Sequence, residues 1–279
     1  MSAAVPAGAI DTHVHVFDPA RYPYAEAAGY RPVSAEIATA LQLRDLLDAH
    51  GMHGVVIVDP TSGYDGDPRC LFDALEVLGP RARGVLRWSP RRAPFTRQAL
   101  AAARARGVAG VRMDCVADGL ERLDRPEFRE LVHMLADLDL VLDVQCEGAQ
   151  LLTVARTLAA QPTRNVIDHL GRPDVTRGPH DAPFCALLDL VGRGRTCVKL
   201  SGPMRMSAQP GWTDVDAFVH ALFTHVGADA LVWGSDWPFL RAPMRLDYAP
   251  LLVLLERWIP RAEDRARVLA GTPRRLFFG

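Results

Sequence analysis

The chain has 279 residues, 49% hydrophobic and 23% charged, with a formal net charge of -1. That balance predicts a globular protein with a sizeable core, and it gives no electrostatic footing for nucleic acid or an anionic membrane surface. No apolar run reaches the ~18 residues a membrane span needs. Met1–Gly8 lacks the basic flank and apolar core of a secretory signal. Five scattered cysteines (70, 115, 146, 185, 197) form no Cys-x-x-Cys pair and read as reduced, mostly buried thiols, so a cytoplasmic protein is expected.

The stretch Ile10-Asp11-Thr12-His13-Val14-His15-Val16-Phe17-Asp18 reads as the first strand. Residues two apart on a strand share a face, so His13 and His15 are expected to project into one space. A tyrosine-rich loop, 19–32, follows. A helix capped by Ser34 is expected to carry Leu41, Leu43, Leu46 and Leu47 and to stop at Gly51. Gly54–Val58 is a continuous apolar run, as a buried parallel strand should be.

The alternation then repeats. Strands are expected at 84–88, 110–113, 140–146, 165–169, 196–201 and 230–234. Helices are expected near 70–78, 96–106, 126–138, 149–160, 183–191, 215–226 and 248–258. A last helix, from about Glu263, is expected to end near Gly271-Thr272-Pro273. Eight strands with intervening helices imply parallel pairing, and at this length a closed α/β barrel of the (β/α)8 TIM type, one domain over residues 1–279. An open doubly wound sheet is the alternative. It usually carries a Gly-x-Gly-x-x-Gly turn after the first strand, where this chain has its histidines.

Active sites of such barrels lie at the C-terminal strand ends. Those ends supply His13 and His15, then Thr61, Arg112 and Asp114. Asp143, Gln145 and Glu147 follow, then His169 with Arg172 just beyond, Lys199, Ser201 and Arg205, and finally Asp236. Closure places the eighth strand beside the first, and so Asp236 beside the histidine pair. Three imidazoles and a carboxylate could hold a divalent ion. Equally, without metal, Asp236 could deprotonate a water while the imidazoles polarise an ester carbonyl. Arg172 reads either as a ligand for an anion or as a clamp on Asp174. His50, His53, His133, His180, His220 and His225 read as solvated surface residues, and Asp11 and Asp18 as turn residues.

Asp-Thr-His-Val-His near the start, Val-Ile-Asp-His-Leu-Gly-Arg-Pro-Asp at 166–174 and Val-Trp-Gly-Ser-Asp-Trp-Pro at 232–238 together resemble the amidohydrolase superfamily, in particular its 2-pyrone-4,6-dicarboxylate lactonase-like branch. The resemblance runs over nearly the whole chain. It implies a distorted (β/α)8 barrel and hydrolysis of a small anionic lactone of pyrone, muconolactone or sugar-acid type. By motif it implies that His13, His15 and His169 polarise the lactone carbonyl and that Asp236 is the general base. It implies that Arg112, Arg172 and Arg205 bind substrate carboxylates, with Thr61, Tyr30 and Gln145 as further substrate contacts.

Two departures from that branch stand out. A further arginine expected a few residues after Arg112 is absent near Asp118, with Arg122 the nearest candidate, and Gln145 replaces a tyrosine. The reaction type is therefore expected to be kept and the substrate to differ, with a monocarboxylate or sugar-acid lactone favoured. The region of Asp143, Gln145 and Glu147 lacks the lysine that bridges two ions in many superfamily members. A binuclear centre is therefore not expected, and the resemblance to the lactonase branch implies no required cofactor. A single divalent ion such as zinc on His13, His15, His169 and Asp236 is the variant reading. A metal-dependent decarboxylase of an aromatic or unsaturated acid and a lactone isomerase are the competing activities. Lys199, where such decarboxylases offer histidine, counts against the first. The expected partner is a small anionic lactone, and the expected assembly a monomer or small homo-oligomer.

Overall fold

Short valine-rich runs form eight strands: β1 (Ile10–Val14), β2 (Gly54–Val58), β3 (Ala82–Arg87), β4 (Val108–Asp114), β5 (Val141–Gln145), β6 (Arg164–Ile167), β7 (Thr196–Leu200) and β8 (Leu231–Trp233). The computed structural model describes residues 5–279. The strands pair in parallel in chain order, each with the next. β8 returns to β1 through His15 N–H to Trp237 O (2.8 Å), Asp236 N–H to His13 O (2.8 Å) and Thr12 Oγ1 to Trp233 O (2.8 Å). Gly234 permits this seam, because a Cβ there would lie 2.6 Å from the His13 Cβ. The result is the (β/α)8 barrel expected from the alternation, in the distorted form that the resemblance implies.

The outer layer is α1 (Ala40–Ala49), α2 (Arg69–Leu78), α3 (Arg97–Ala105), α4 (Cys115–Asp118), α5 (Pro126–Asp137), α6 (Gln150–Leu158), α7 (Ala182–Gly192), α8 (Asp216–Val226), α9 (Tyr248–Trp258) and α10 (Ala262–Ala266). α5 shows why these segments coil and dock. Pro126 opens its first turn, where a missing N–H costs nothing, and Phe128, Leu131, Val132 and Leu135 form one buried stripe at helical spacing. None of the described helices is long and apolar enough to cross a membrane.

Three boundaries differ from the sequence reading. The first strand stops at Val14, and its pairing shifts register between Asp11 and Val14. The first helix begins after Thr39, whose hydroxyl accepts from the Gln42 N–H. Ser34 instead opens a separate short turn with a φ of 53°. The C-terminal segment does not stop at Thr272-Pro273. Wide π-type turns carry it through 267–271 and 274–278, which brings Leu276 and Phe277 under the barrel.

The barrel interior is layered by the two-residue period of its strands. Val56, Val85, Val141, Val166 and Val232 form an apolar plug with Leu276 and Phe277. Two residues further along, Val141 gives way to Asp143, Val166 to Asp168 and Cys197 to Lys199. These residues are buried, and with Arg112 and His13 they form a polar layer above the plug.

Candidate active site

Asp236 is the point on which the strand ends converge. It follows β8 with a left-handed φ of 64°, fixed by its own N–H to His13 O and by Phe239 N–H to its carbonyl (2.8 Å). Its Oδ1 faces His13 Nε2 at 3.7 Å, His15 Nε2 at 3.8 Å and His169 Nε2 at 4.0 Å. All four side chains are buried. Among the described residues neither Asp236 Oδ1 nor His13 Nε2 has a hydrogen-bond partner, so these atoms bound a gap of about one atom's size.

The outer ring nitrogens are held from behind. His15 Nδ1 meets Val58 O at 2.7 Å. A carbonyl only accepts, so Nδ1 carries a proton and Nε2 of the neutral ring is a lone pair. His169 Nδ1 meets Ser201 Oγ at 2.9 Å. His169 stands in a tight turn in which His169 (φ 51°), Leu170 (φ 55°) and Arg172 (φ 45°) are all left-handed. Such positions cost roughly 1–3 kcal/mol each and persist only where the surroundings enforce them. Buried Leu170 and the Arg172 N–H to His169 O bond (2.8 Å) do so here.

Burial pushes the His13 and His15 imidazoles down to about 3 and that of His169 well below the ordinary histidine value, so all three are neutral near pH 7. Burial alone would raise Asp236. The Arg205 guanidinium leads the influences that outweigh it and hold the carboxyl below its usual range.

A cavity of about 560 Å³ opens over this gap. Its lining includes His15, Thr61, Arg112, Gln145, His169, Arg172, Arg205 and Asp236. His13 lies beneath that lining and Tyr30 outside it. The Tyr30 hydroxyl donates to Glu36 Oε2 (2.5 Å), and Glu36 Oε1 accepts the Arg241 N–H (2.6 Å), which ties the 19–32 loop to the loop after β8.

The predicted arginines are not equally free. Arg205 donates through Nε and Nη2 to Asp236 Oδ2, both at 2.8 Å. Arg112 is bound to Asp168 (2.9 Å) and to the Gln145 amide oxygen. Arg172 pairs with Glu147 at 2.9 Å, not with Asp174, which caps the next turn. Thr61 donates to Asp114 Oδ2 (2.5 Å). Arg122 stacks 3.5 Å over the Trp88 ring outside the cavity and cannot replace the missing arginine, and Asp118 is engaged by Arg87 (2.8 Å).

Several groups in or near the site were given another role, or none, by the sequence reading. Arg241 lines the cavity and, among the described residues, has no carboxylate partner for its guanidinium. Asp11 is no turn residue: its carboxylate takes the N–H groups of His13 and Ser235 (3.0 Å each) and the Tyr248 hydroxyl (2.8 Å), which stitches β1 to the β8 end. Asp143, Asp168 and Lys199 form a buried ionic cluster behind His13. The two-residue step from Val166 and Cys197 was the available signal for Asp168 and Lys199. His50 stacks on Tyr248 at 4.6 Å and is not merely solvated.

Among the described residues one group of donors has metal-site spacing. Ligand atoms of His13, His169 and Asp236 lie within 4.8 Å of one another. With Asp236 Oδ1 and His13 Nε2 unpartnered, the spacing fits one divalent ion.

Residues 10–279 match the family model described as Amidohydrolase. The chain belongs to the amidohydrolase family. It is similar to a 4-sulfomuconolactone hydrolase of Rhizobium radiobacter, 33% identical over 99% of this chain and 92% of the relative. It is similar also to a 2-pyrone-4,6-dicarboxylate hydrolase of Comamonas testosteroni, 32% identical over 98% and 91%. A solved structure from Pseudomonas putida, a candidate 2-pyrone-4,6-dicarboxylic acid hydrolase, superposes with a TM-score of 0.88 at 30% identity over 98% of both chains.

Proposed function

We propose that the protein hydrolyses a small anionic lactone. The observation that carries this reading is the unpartnered Oδ1 of a buried, ionised Asp236 facing three neutral imidazoles at the floor of an arginine-lined cavity. The similarity to two lactone hydrolases over almost the full chain supports it.

A water in the gap donates one hydrogen to Asp236 Oδ1 and the other to the His15 Nε2 lone pair. Asp236 takes the proton as the water oxygen adds to the lactone carbonyl. His13 and His169, on the other side of the gap, polarise the carbonyl oxygen as its charge develops. The ring C–O bond then breaks, the proton passes to the departing oxygen, and a ring-opened hydroxy acid remains. A divalent ion, if bound, would be held by His13, His169 and Asp236 and would supply Lewis-acid polarisation of the carbonyl.

The substrate's carboxylate falls to the rim. Arg241 is free to form a paired contact with it, and Arg172 becomes free when the anion displaces Glu147. Arg112 is committed inside the barrel and Arg205 to the base, so both serve the site's charge more than substrate recognition. Thr61, Gln145 and Tyr30 complete or support the wall.

A panel of pyrone, muconolactone and sugar-acid lactones, read by proton release, tests the reading. Ring opening of one class is the expected result. CO2 release would assign decarboxylation instead, and isomerisation without net proton release would assign a lactone isomerase.

A further inference from the structure

We propose that Lys199 is a positioning residue that fixes His13 as its Nε2–H tautomer, so that His13 enters the gap as a hydrogen-bond donor and not as a lone-pair ligand. Its catalytic consequence rests on the lactone-hydrolase reading; the tautomer itself does not.

The contacts of Lys199 carry the argument. Its ammonium, at the centre of the barrel on β7, is wholly buried. It meets Asp143 Oδ2 in a short hydrogen bond, Asp168 Oδ1 at 2.9 Å and His13 Nδ1 at 3.1 Å. Two of these contacts, to Asp143 Oδ2 on β5 and to His13 Nδ1 on β1, have hydrogen-bonding geometry, and the one to Asp168 Oδ1 at the end of β6 is an ionic contact. An ammonium can only donate, so at the His13 contact Nδ1 must be the acceptor. A ring that accepts at Nδ1 carries its proton at Nε2. A proton on Nδ1 would face the ammonium and leave one buried N–H of Lys199 unpaired, a loss that burial makes costly.

The rival partner for Nδ1 is Asp168 Oδ1, also 3.1 Å away. That oxygen lacks hydrogen-bonding geometry toward the ring, whereas the Lys199 contact has it. Asp168 is also occupied by Arg112 on its other oxygen (2.9 Å). Lys199 thus stands between a carboxylate and the ring and decides which ring nitrogen holds the proton.

This gives the two histidines of the first strand opposite roles. His15, donating to Val58 O, presents a lone pair at Nε2, whereas His13, accepting from Lys199, presents an N–H. The gap then has acceptors for a water, in His15 and Asp236, and a donor for the carbonyl, in His13.

The test is 15N–1H correlation of the protein labelled at its histidines, with the His13 ring assigned by loss of its signals in His13→Gln. A protonated, pyrrole-type Nε2 is expected. The charge-balanced double variant Lys199→Met/Asp143→Asn removes one cation and one anion together, so the net charge of the barrel interior is unchanged. In it, Asp168 captures the Nδ1 proton, Nε2 becomes pyridine-type, and kcat for the lactone falls about 10²–10³-fold, the loss typical of one oxyanion donor, while KM stays within about twofold.

Circular dichroism establishes that the double variant is folded, and the wild-type spectrum tests the assignment without any variant. A pyridine-type Nε2 in the wild-type protein overturns the proposal, as does an unchanged tautomer in the folded double variant. A pyrrole-type Nε2 in a protein that opens no lactone would overturn the functional reading alone, so the two failures are distinguishable.

Discussion

Arg205 grips only one oxygen of Asp236. Its Nε and Nη2 both lie 2.8 Å from Oδ2, while Oδ1 is left to face the three imidazoles. The guanidinium keeps the buried carboxylate charged without occupying the atom that would take a proton. As the proposed base, Asp236 would need its deprotonated form, and a pKa held below the ordinary 3.8 favours that form at neutral pH. Arg205→Met removes the largest lowering influence and leaves burial to raise the carboxyl. The acid limb of kcat/KM is therefore expected to move to higher pH, into a range where a pH–rate profile can locate it. An unmoved limb would detach Arg205 from the base.

Asp236→Asn preserves shape and removes the proton acceptor. Steady-state kinetics are expected to show kcat lower by about 10²–10⁴-fold, the usual contribution of a positioned base, with KM and thermal stability little changed. Turnover near the wild-type rate would remove Asp236 from the chemistry.

Arg241 and Arg172 are predicted to recognise the substrate anion. Arg241→Met and Arg172→Met should each raise KM for a carboxylated lactone about tenfold, equivalent to ~1.4 kcal/mol and close to the range for a charge-assisted hydrogen bond. An uncharged lactone should be unaffected. Equal effects on both substrates would assign these arginines to wall structure.

Metal dependence is decided by elemental analysis of the purified protein together with activity before and after chelation. At most one equivalent of a divalent ion is expected, and hydrolysis should survive its removal. Activity that vanishes on chelation and returns with zinc would transfer carbonyl polarisation to the ion.

Asp59, just after β2, supplies a test that reads stability and not turnover. Burial pushes its carboxyl up to about 7, against the Arg87 N–H on Oδ2. Its folded value lies above the unfolded one, so the fold prefers it protonated. Stability is then lost as pH rises from about 4 through about 7, by ~1.4 kcal/mol for each pH step of one across that window. Asp59→Asn removes that loss. The Tm of the variant relative to wild type should therefore increase between about pH 4 and about pH 8, and a flat difference would count against the buried-acid assignment.

The strand–helix alternation, the eight strand positions and the convergence of His13, His15, His169 and Asp236 were legible in the sequence. Each rests on a local period or on the closure that eight parallel units impose. A two-residue period places side chains on a face whatever the rest of the chain does. The boundaries were less legible. Thr39 and Ser34 are both plausible caps, and only the Thr39 hydroxyl meets a helix N–H.

Partnership was decided by tertiary structure alone. Sequence marked Arg112, Arg172 and Arg205 as equivalent cations, yet the fold commits Arg112 to Asp168, Arg205 to Asp236 and Arg172 to Glu147, and leaves Arg241, among the described residues, without a carboxylate. It also places Lys199 against His13, 186 residues apart along the chain. Local sequence determines which way a side chain points, through strand period and turn chemistry. Which charge finds which, and which ring nitrogen keeps a proton, depends on groups brought together across a barrel interior from which water is excluded.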